Sequence, residues 1–523
     1  MNLLLNKLTQ LPANRLIWLL TAIGVLIAMQ INYIQHGWIN NDSVLYFEAA
    51  RLFAAGEWKA GFQLFPWPLY SGLIATTHQL FGLDIHLSAQ VLNVLFFGIA
   101  TASFLKLIQL AGGDQLTLLS GSLILFSSQY VVGDVLQMLM RDQGFWAFFL
   151  TSLVFFTRFY RLNQLSDALL WQIFALIAML FRIEGVSYLI GLPLILLLKT
   201  EQKLSARIYA VFLTNCINLI LAISVASYLV LNNLSMKSLG RLQEVFSLNL
   251  YEQLSKNFIE RSEIMASQVL GNYLDDFAIQ ALLLSFTFIM IAKTVSTAGL
   301  INIGFAILSV TKRKILLNEN AWIVIRATIL IAGINMFLII FKVFVLSGRY
   351  IVALAFMVMI LAAFGLRHCY KYFRPSSPDN QLKKWVLILV MSIMALGFVK
   401  NILPKKAGYN YEQDAVSWIK ENNPDNLPVY YDDARARHYA KEAFIGTWPD
   451  NRKKLNADIE NQSIDEYGYL LVSMSKSDMA HKPDLEHNLS GFVEVAKFTS
   501  VSGKKFILVY KNQLLEKNSW PLK

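Results

Sequence analysis

Apolar stretches of about 18 to 25 residues, the length at which a helix crosses the hydrocarbon core of a bilayer, recur along this chain as far as residue 402. Inside lipid every backbone N–H and C=O must be satisfied by the segment itself, so such stretches fold as helices. They fall near residues 15–34, 86–110, 115–132, 144–160, 168–181, 185–199, 206–231, 285–311, 321–346, 350–366 and 385–402. That makes about eleven crossings by the spanning-length rule. With 55% of residues hydrophobic and 15% charged, the expected class is a polytopic α-helical membrane protein. Cys216 and Cys369 form no spaced pair, so neither a disulfide framework nor a structural zinc site is expected. Lys7 and Arg15 precede the first apolar run and no small-residue cleavage site follows it, which predicts a retained first helix.

The positive-inside rule orients the scheme. Lys312-Arg313-Lys314, the stretch from Arg367 to Lys384, Arg158 with Arg161, and Lys199 to Arg207 all fall on one side, read as cytoplasmic together with the N-terminus. Asp42, Asp142, Arg349 and everything after about residue 403 fall on the other. The external loops are then 35–85, 133–143 and 232–284. Residues 277–311 are read as one crossing preceded by an interfacial turn, because Lys293 and Gly299 interrupt them. Phe65 to Gly82 suits an amphipathic helix in the headgroup layer, with a short transmembrane helix as the alternative. Leu234 to Asp276 predicts one or two amphipathic helices on the outer surface. The net charge of +11 sits almost wholly in the membrane part, where it orients helices, so no nucleic-acid partner is expected.

After Leu403 the composition becomes that of a soluble protein, and a small extracytoplasmic α/β domain is expected over 403–523, behind a membrane domain over 1–402. Asp414–Asn422 and Ala434–Ala443 read as helices, and Pro428–Tyr431 and Gly468–Met474 as strands. Phe492–Thr499 and Lys505–Tyr510 alternate around Ser502-Gly503, a hairpin signal. This tail holds no Gly-rich phosphate loop, no HExxH and no nucleophile elbow.

Two acids stand out in the polar windows between spans. Asp42 lies in Asn40-Asn41-Asp42-Ser43 and Asp142 in Met140-Arg141-Asp142-Gln143. Carboxylates at membrane level are costly unless they face a polar cavity, and two on one side point to interfacial chemistry. Each also suits a helix N-cap, of Ser43–Ala54 or of a helix from Gln143. Arg349 fits a snorkelling anchor as well as a ligand site, and Arg182 with Glu184 fits a structural ion pair at a helix junction. His36, His78 and His86 are scattered without metal-ligand spacing, and no metal or other cofactor is expected.

The order of five segments resembles the GT-C superfamily of membrane glycosyltransferases. They are NNDSVLYFEAARLFAAGEW, FPWPLYSGLIATTHQLFG, MRDQGFWAFFLTSLVFF, FRIEGVSYLIGLPLILLL and SGRYIVALAFMVMILAAFGL. Within it the chain is most similar to the aminoarabinose and protein O-mannosyl transferases. The resemblance implies inverting transfer of a sugar from a polyprenyl-phosphate carrier to a hydroxyl of a glycan, lipid or protein acceptor, at the periplasmic face of a bacterial inner membrane. It implies Asp42 as general base, and Asp142 as a group that orients acceptor or sugar or shares the base role. Arg141, Arg349, Lys59, and Arg182 with Glu184 are candidates to meet the phosphate, with Tyr46 and Tyr350 in the same segments as substrate-binding candidates. The chain departs from the family pattern at Ser43, where a second acid often stands, at Leu45, where some relatives carry arginine, and at Phe65 and Pro66, where the aminoarabinose branch has lysine. Two other function classes fit a membrane protein with buried charge: a transporter or flippase for lipid-linked sugars, and a non-catalytic assembly protein that binds partners through its tail.

Overall fold

In the computed structural model, residues 2–35, 37–235, 250–271, 273–372, 381–404, 410–442 and 451–518 are described. His36, the loop Arg374–Pro378, residues 236–249 of the third external loop and the end of the helix expected at 434–443 lie outside them. The chain divides into two compact units, one made of Met1–Tyr33 with Leu87–Ile402 and the other of Ile34–His86 with Leu403–Lys523.

The first unit is helical and apolar. Among the described residues six helices are long and apolar enough to cross a membrane: Ala13–Ile34, Ile85–Leu110, Asp275–Ala298, Glu319–Val343, Gly348–Tyr372 and Lys383–Ile402. The number reaches eight if two bent pairs each count as one span, Gln115–Phe126 with Gln129–Met138 and Leu204–Leu213 with Cys216–Leu231. The bends are 42° and 58°. Leu165–Phe181, Gly185–Leu198 and Leu300–Thr311 are apolar but shorter. Eight of the eleven expected crossings thus fall on full-length or bent apolar spans, and the other three, 144–160, 168–181 and 185–199, on the helices Asp142–Leu162, Leu165–Phe181 and Gly185–Leu198. Gly299 is a break: its φ of +86° suits glycine, and it separates Ala278–Ala298 from Leu300–Thr311 where the sequence reading expects one crossing.

Gly348–Tyr372 is the central helix of this unit, buried at almost every position from Ile351 to Leu366. It packs against Gln115–Phe126, Ala278–Ala298, Leu300–Thr311 and Glu319–Val343. Outer faces of other helices carry exposed Ile220, Ile223, Leu284, Phe288, Leu389 and Leu396, as a lipid-facing surface requires. At the end of the central helix, Arg367 and Lys371 reach Asp114 Oδ2 at 2.8 and 2.9 Å. Asp114 also caps the helix Gln115–Phe126, accepting from Thr117 N at 3.0 Å. Burial pushes its carboxyl up, but Arg367, Thr117 and Lys371 outweigh that and hold it below the usual carboxylate range.

The second unit joins the first-loop helices Asn41–Ala54, Trp58–Leu64 and Leu69–Phe81 to a four-stranded sheet in the order β1-β2-β4-β3. The strands are Val429–Tyr431 (β1), Tyr469–Ser475 (β2), Phe492–Thr499 (β3) and Lys505–Asn512 (β4), with β1 parallel to β2 and the others antiparallel. Strand alternation puts Leu470, Val472, Leu508 and Tyr510 in one core and Tyr469, Leu471, Ile507 and Val509 in the other. Both faces of the sheet are thus covered, the second by helices Tyr411–Asn422 and Ala434–Ala440. The two helices and the hairpin expected in the tail are present. Tyr439 Oη accepts from Ile39 N at 3.1 Å, and Glu48 lies 3.5 Å from His438, so the first loop and the tail are held together. They therefore lie on one side of the membrane, and the chain between them crosses an even number of times.

Helix crossings in the first unit depend on small residues. A Cβ on Gly365 would stand 2.1 Å from the carbonyl oxygen of Phe305, a backbone atom that cannot swing aside. Gly365→Ala is expected to force these helices apart at a cost of about 1–3 kcal/mol. A thermal melt of the purified protein unchanged by the substitution would contradict that packing.

Candidate active site

The site grows from a defect in helical regularity. After the bend at Ser127 and Ser128, residues Gln129–Val135 form a π-type turn and Leu136–Met138 a 3-10 turn, and Leu139 takes φ +45°. This backbone stays ordered because Gln143, fully buried, donates its side-chain amide to Val135 O at 2.9 Å and accepts from Met140 N at 3.1 Å. Irregular backbone at membrane depth is tolerated where the protein itself satisfies it.

The helix Asp142–Leu162 starts immediately afterwards. Gly144 has no Cβ, which would otherwise lie 2.2 Å from the ring of Phe181. That close approach sets the next residue, Arg182, beside the first turn of this helix. Arg182 Nη1 donates to Asp142 Oδ1. Its Nε and Nη2 form a fork onto Glu184 at 3.2 and 3.0 Å. The ring of Tyr350 lies 5.0 Å from the guanidinium carbon. Arg349 Nη1 approaches Asp142 Oδ2 at 3.9 Å, and among the described residues that oxygen accepts no hydrogen bond.

Burial decides what these groups can do. The side chain of Asp142 is 0% exposed and that of Arg182 4%, whereas Arg349 is 30% exposed. Asp142 is not an N-cap: Arg141 holds that position and makes no side-chain cap bond. Taken up by Arg182 and faced by Arg349, it is a counter-ion that fixes two arginines. The pairing of Arg182 with Glu184 expected at the helix junction is present, extended to a third member.

Three helices begin here, Asp142–Leu162, Gly185–Leu194 with Glu184 before it, and Gly348–Tyr372. Carboxylates are favoured at helix N-termini and cations disfavoured. Asp142 and Glu184 obey that rule, while Arg141 and Arg349 run against it. Three arginines and two acids leave one net positive charge in the ion-paired group, with the starts of three helices and the end of Leu165–Phe181 around it and Asp134 within reach of the neighbouring Tyr130. Such a place is suited to an anion, and arginine forks match phosphate oxygens in geometry.

The remaining sequence candidates lie in the second unit. Asp42 is half-buried in the first turn of Asn41–Ala54. The cap is not Asp42 but Asn40, whose side chain accepts from Asp42 N at 3.0 Å. Tyr46, one turn on, is buried and meets Phe65 and Tyr70 edge-on at 5.1 and 5.4 Å. Lys59 is exposed on Trp58–Leu64.

The structure also adds residues that the sequence reading did not name. Tyr130 lies within electrostatic reach of Asp142, Arg182 and Arg349, and its ring abuts Gly348, where a Cβ would be 2.4 Å away. Asn335 donates to the carbonyl of Glu184 at 3.4 Å and is hydrogen-bonded to Tyr188. A tyrosine in a π-type turn and an asparagine inside an apolar helix have no local pattern; the single polar residue in Ile334-Asn335-Met336 is the only signal.

Removing one partner of a buried ion pair leaves the other charge uncompensated and costs about 3–5 kcal/mol. Arg182→Ala strands two carboxylates, whereas Asp142→Asn leaves Arg182 still paired with Glu184. Thermal melts should therefore rank Arg182→Ala well below Asp142→Asn, and Arg182→Ala should be partly relieved by adding Asp142→Asn. Equal melting temperatures for all three would refute a shared cation.

No family model and no curated protein matches the sequence. Among solved structures, 17 chains match. One is the crystal structure of ArnT from Cupriavidus metallidurans in the apo state, at a TM-score of 0.51 and 13% identity, with 94% of this chain and 97% of that chain covered. The chain is therefore a multi-pass helical membrane protein with the fold of ArnT.

Proposed function

We propose that this chain is a GT-C type glycosyltransferase that moves a sugar from a polyprenyl-phosphate carrier to an acceptor hydroxyl, with inversion at the anomeric carbon. The observation that carries the reading is the group of Arg141 and Arg349 at two helix starts with Arg182 at the end of Leu165–Phe181, on a fold shared with ArnT. The likeness of the first-loop segment to the GT-C pattern adds the base. In this reading residues 1–402 carry the chemistry, residues 403–523 form the extracytoplasmic domain, and the active side faces the periplasm of a bacterial inner membrane.

Chemically, Asp42 takes the proton of the acceptor hydroxyl as its oxygen attacks the anomeric carbon. The bond to the carrier phosphate breaks, and its electron pair leaves with the phosphate oxygen. Arg349, the more exposed of the two arginines on Asp142, meets that developing charge, an electrostatic role that fixed donors perform without reorganisation. Asp142 and Glu184 hold Arg182 and Arg349 in place, and Asp142 is thereby a positioning residue. The isoprenoid tail stays in lipid. The leaving phosphate is stable as an anion, so the step is written with the chain's own cations alone.

General-base assistance contributes roughly 10² to 10⁴ in rate, and Asp42→Asn should lose about that much without a change in melting temperature. Lipid extracts of cells expressing this variant in place of the native chain should accumulate a polyprenyl-phosphate sugar, and one sugar should disappear from a surface glycan. Unchanged lipid and glycan pools at equal expression would overturn the transferase reading and favour an assembly role.

A further inference from the structure

We propose that a groove between helices Ala13–Ile34, Ile85–Leu110 and Asp142–Leu162 binds the phosphate headgroup of one anionic phospholipid, in the leaflet opposite the Asp142 cluster. The groove is a cavity of about 380 Å³. Its polar wall carries Asn14, Ser103, Lys106, Thr151 and Arg158. Arg158 lies 16 positions after Asp142 in one helix, which at 1.5 Å per residue is about 24 Å along its axis. The two sites therefore stand at opposite ends of the first unit.

The charge balance of this groove is what a lipid phosphate would complete. Lys106 and Arg158 line the same space and repel one another. Lys106 Nζ donates to Gln109 Oε1 at 2.7 Å and to Asn14 Oδ1 at 3.4 Å, both neutral acceptors. Arg158 uses Nε to reach buried Asp167 at 3.1 Å, and its guanidinium lies 5.5 Å from the ring centre of Phe155. Arg158 is thus paired with a carboxylate, whereas the hydrogen bonds of Lys106 go to neutral amides. Thr151 Oγ1 donates to Ala147 O at 2.7 Å and accepts from Ser103 Oγ at 2.8 Å, so these hydroxyls are satisfied by the protein and the two cations are left to meet the phosphate.

The rest of the lining selects a lipid over a free ion. Ile17, Val154 and Phe155 make an apolar flank for an acyl chain. Trp18 is 69% exposed, and tryptophan is the residue enriched where headgroup meets hydrocarbon. Cations in clefts between spanning helices are the recognised chemistry for anionic headgroups. The positive-inside rule accounts for basic residues at this end of the helices, and the groove adds to it an apolar flank with Lys106 and Arg158 on one wall.

The test is native mass spectrometry of the full chain in detergent, with phosphatidylglycerol or phosphatidylcholine of identical acyl chains, with and without excess inorganic phosphate. The expected result is one phosphatidylglycerol retained per chain, phosphatidylcholine lost, and no displacement by phosphate. Lys106→Gln removes one charge from the groove, and Asn14→Asp adds a carboxylate to it. Both should lower retention about tenfold while the melting temperature of the lipid-free protein stays as it was. Equal retention of the two lipids, or undiminished retention in both variants, would overturn the proposal. Displacement by inorganic phosphate would overturn the lipid assignment, leaving only an ion site.

Discussion

A guanidinium buried among spanning helices has to be neutralised within its own neighbourhood, and Arg182 is neutralised twice. One edge goes to Asp142 and a fork to Glu184, so two helix starts are tied through a single side chain. Desolvating these groups costs several kcal/mol each unless every charge is met. The pairing sits at the break between Phe181 and Gly185, where Gly144 leaves room for the ring of Phe181. Arg349 then approaches the remaining oxygen of the same aspartate, which makes the local field net positive without leaving any carboxylate unopposed.

Much of this was legible in the residues. Polar windows in an apolar chain are few and single out Asp142 beside Arg141, while Arg182, Glu184, Arg349 and Tyr350 were named through the resemblance of their segments to the GT-C pattern. Their convergence was not, because nothing in local spacing links residues 142, 182 and 349. The caps were misread for a related reason: Asn40 and Asp42 both suit an N-cap, and only backbone geometry selects Asn40. Bends were the largest omission. A hydrophobic run is silent about whether it is one straight helix, so the bends within 115–138 and 204–231 needed coordinates, whereas Gly299 was visible as an interruption and only its place as the boundary between two helices was not. The tail was easier, since alternation and a Ser-Gly turn define strands locally, although the order β1-β2-β4-β3 depends on pairing across distant segments.

The two ends of the helix Asp142–Leu162 show how one element serves two purposes. At its start a carboxylate is fully enclosed and arginines are drawn around it. At its far end Arg158 opens toward a groove with a second cation. Between them Phe145, Trp146, Phe149 and Phe156 are buried, giving a rigid aromatic core that keeps the two ends at a fixed separation.

The union of residues 34–86 with the tail also constrains how the protein is made. The first loop leaves the ribosome long before its partner, and Ile39 and Glu48 cannot meet Tyr439 and His438 until every intervening helix has been inserted. Closing this unit is in effect a checkpoint on correct insertion. A chain that gained or lost one crossing would strand the two halves on opposite sides of the bilayer, leaving Ile39 and Glu48 without Tyr439 and His438.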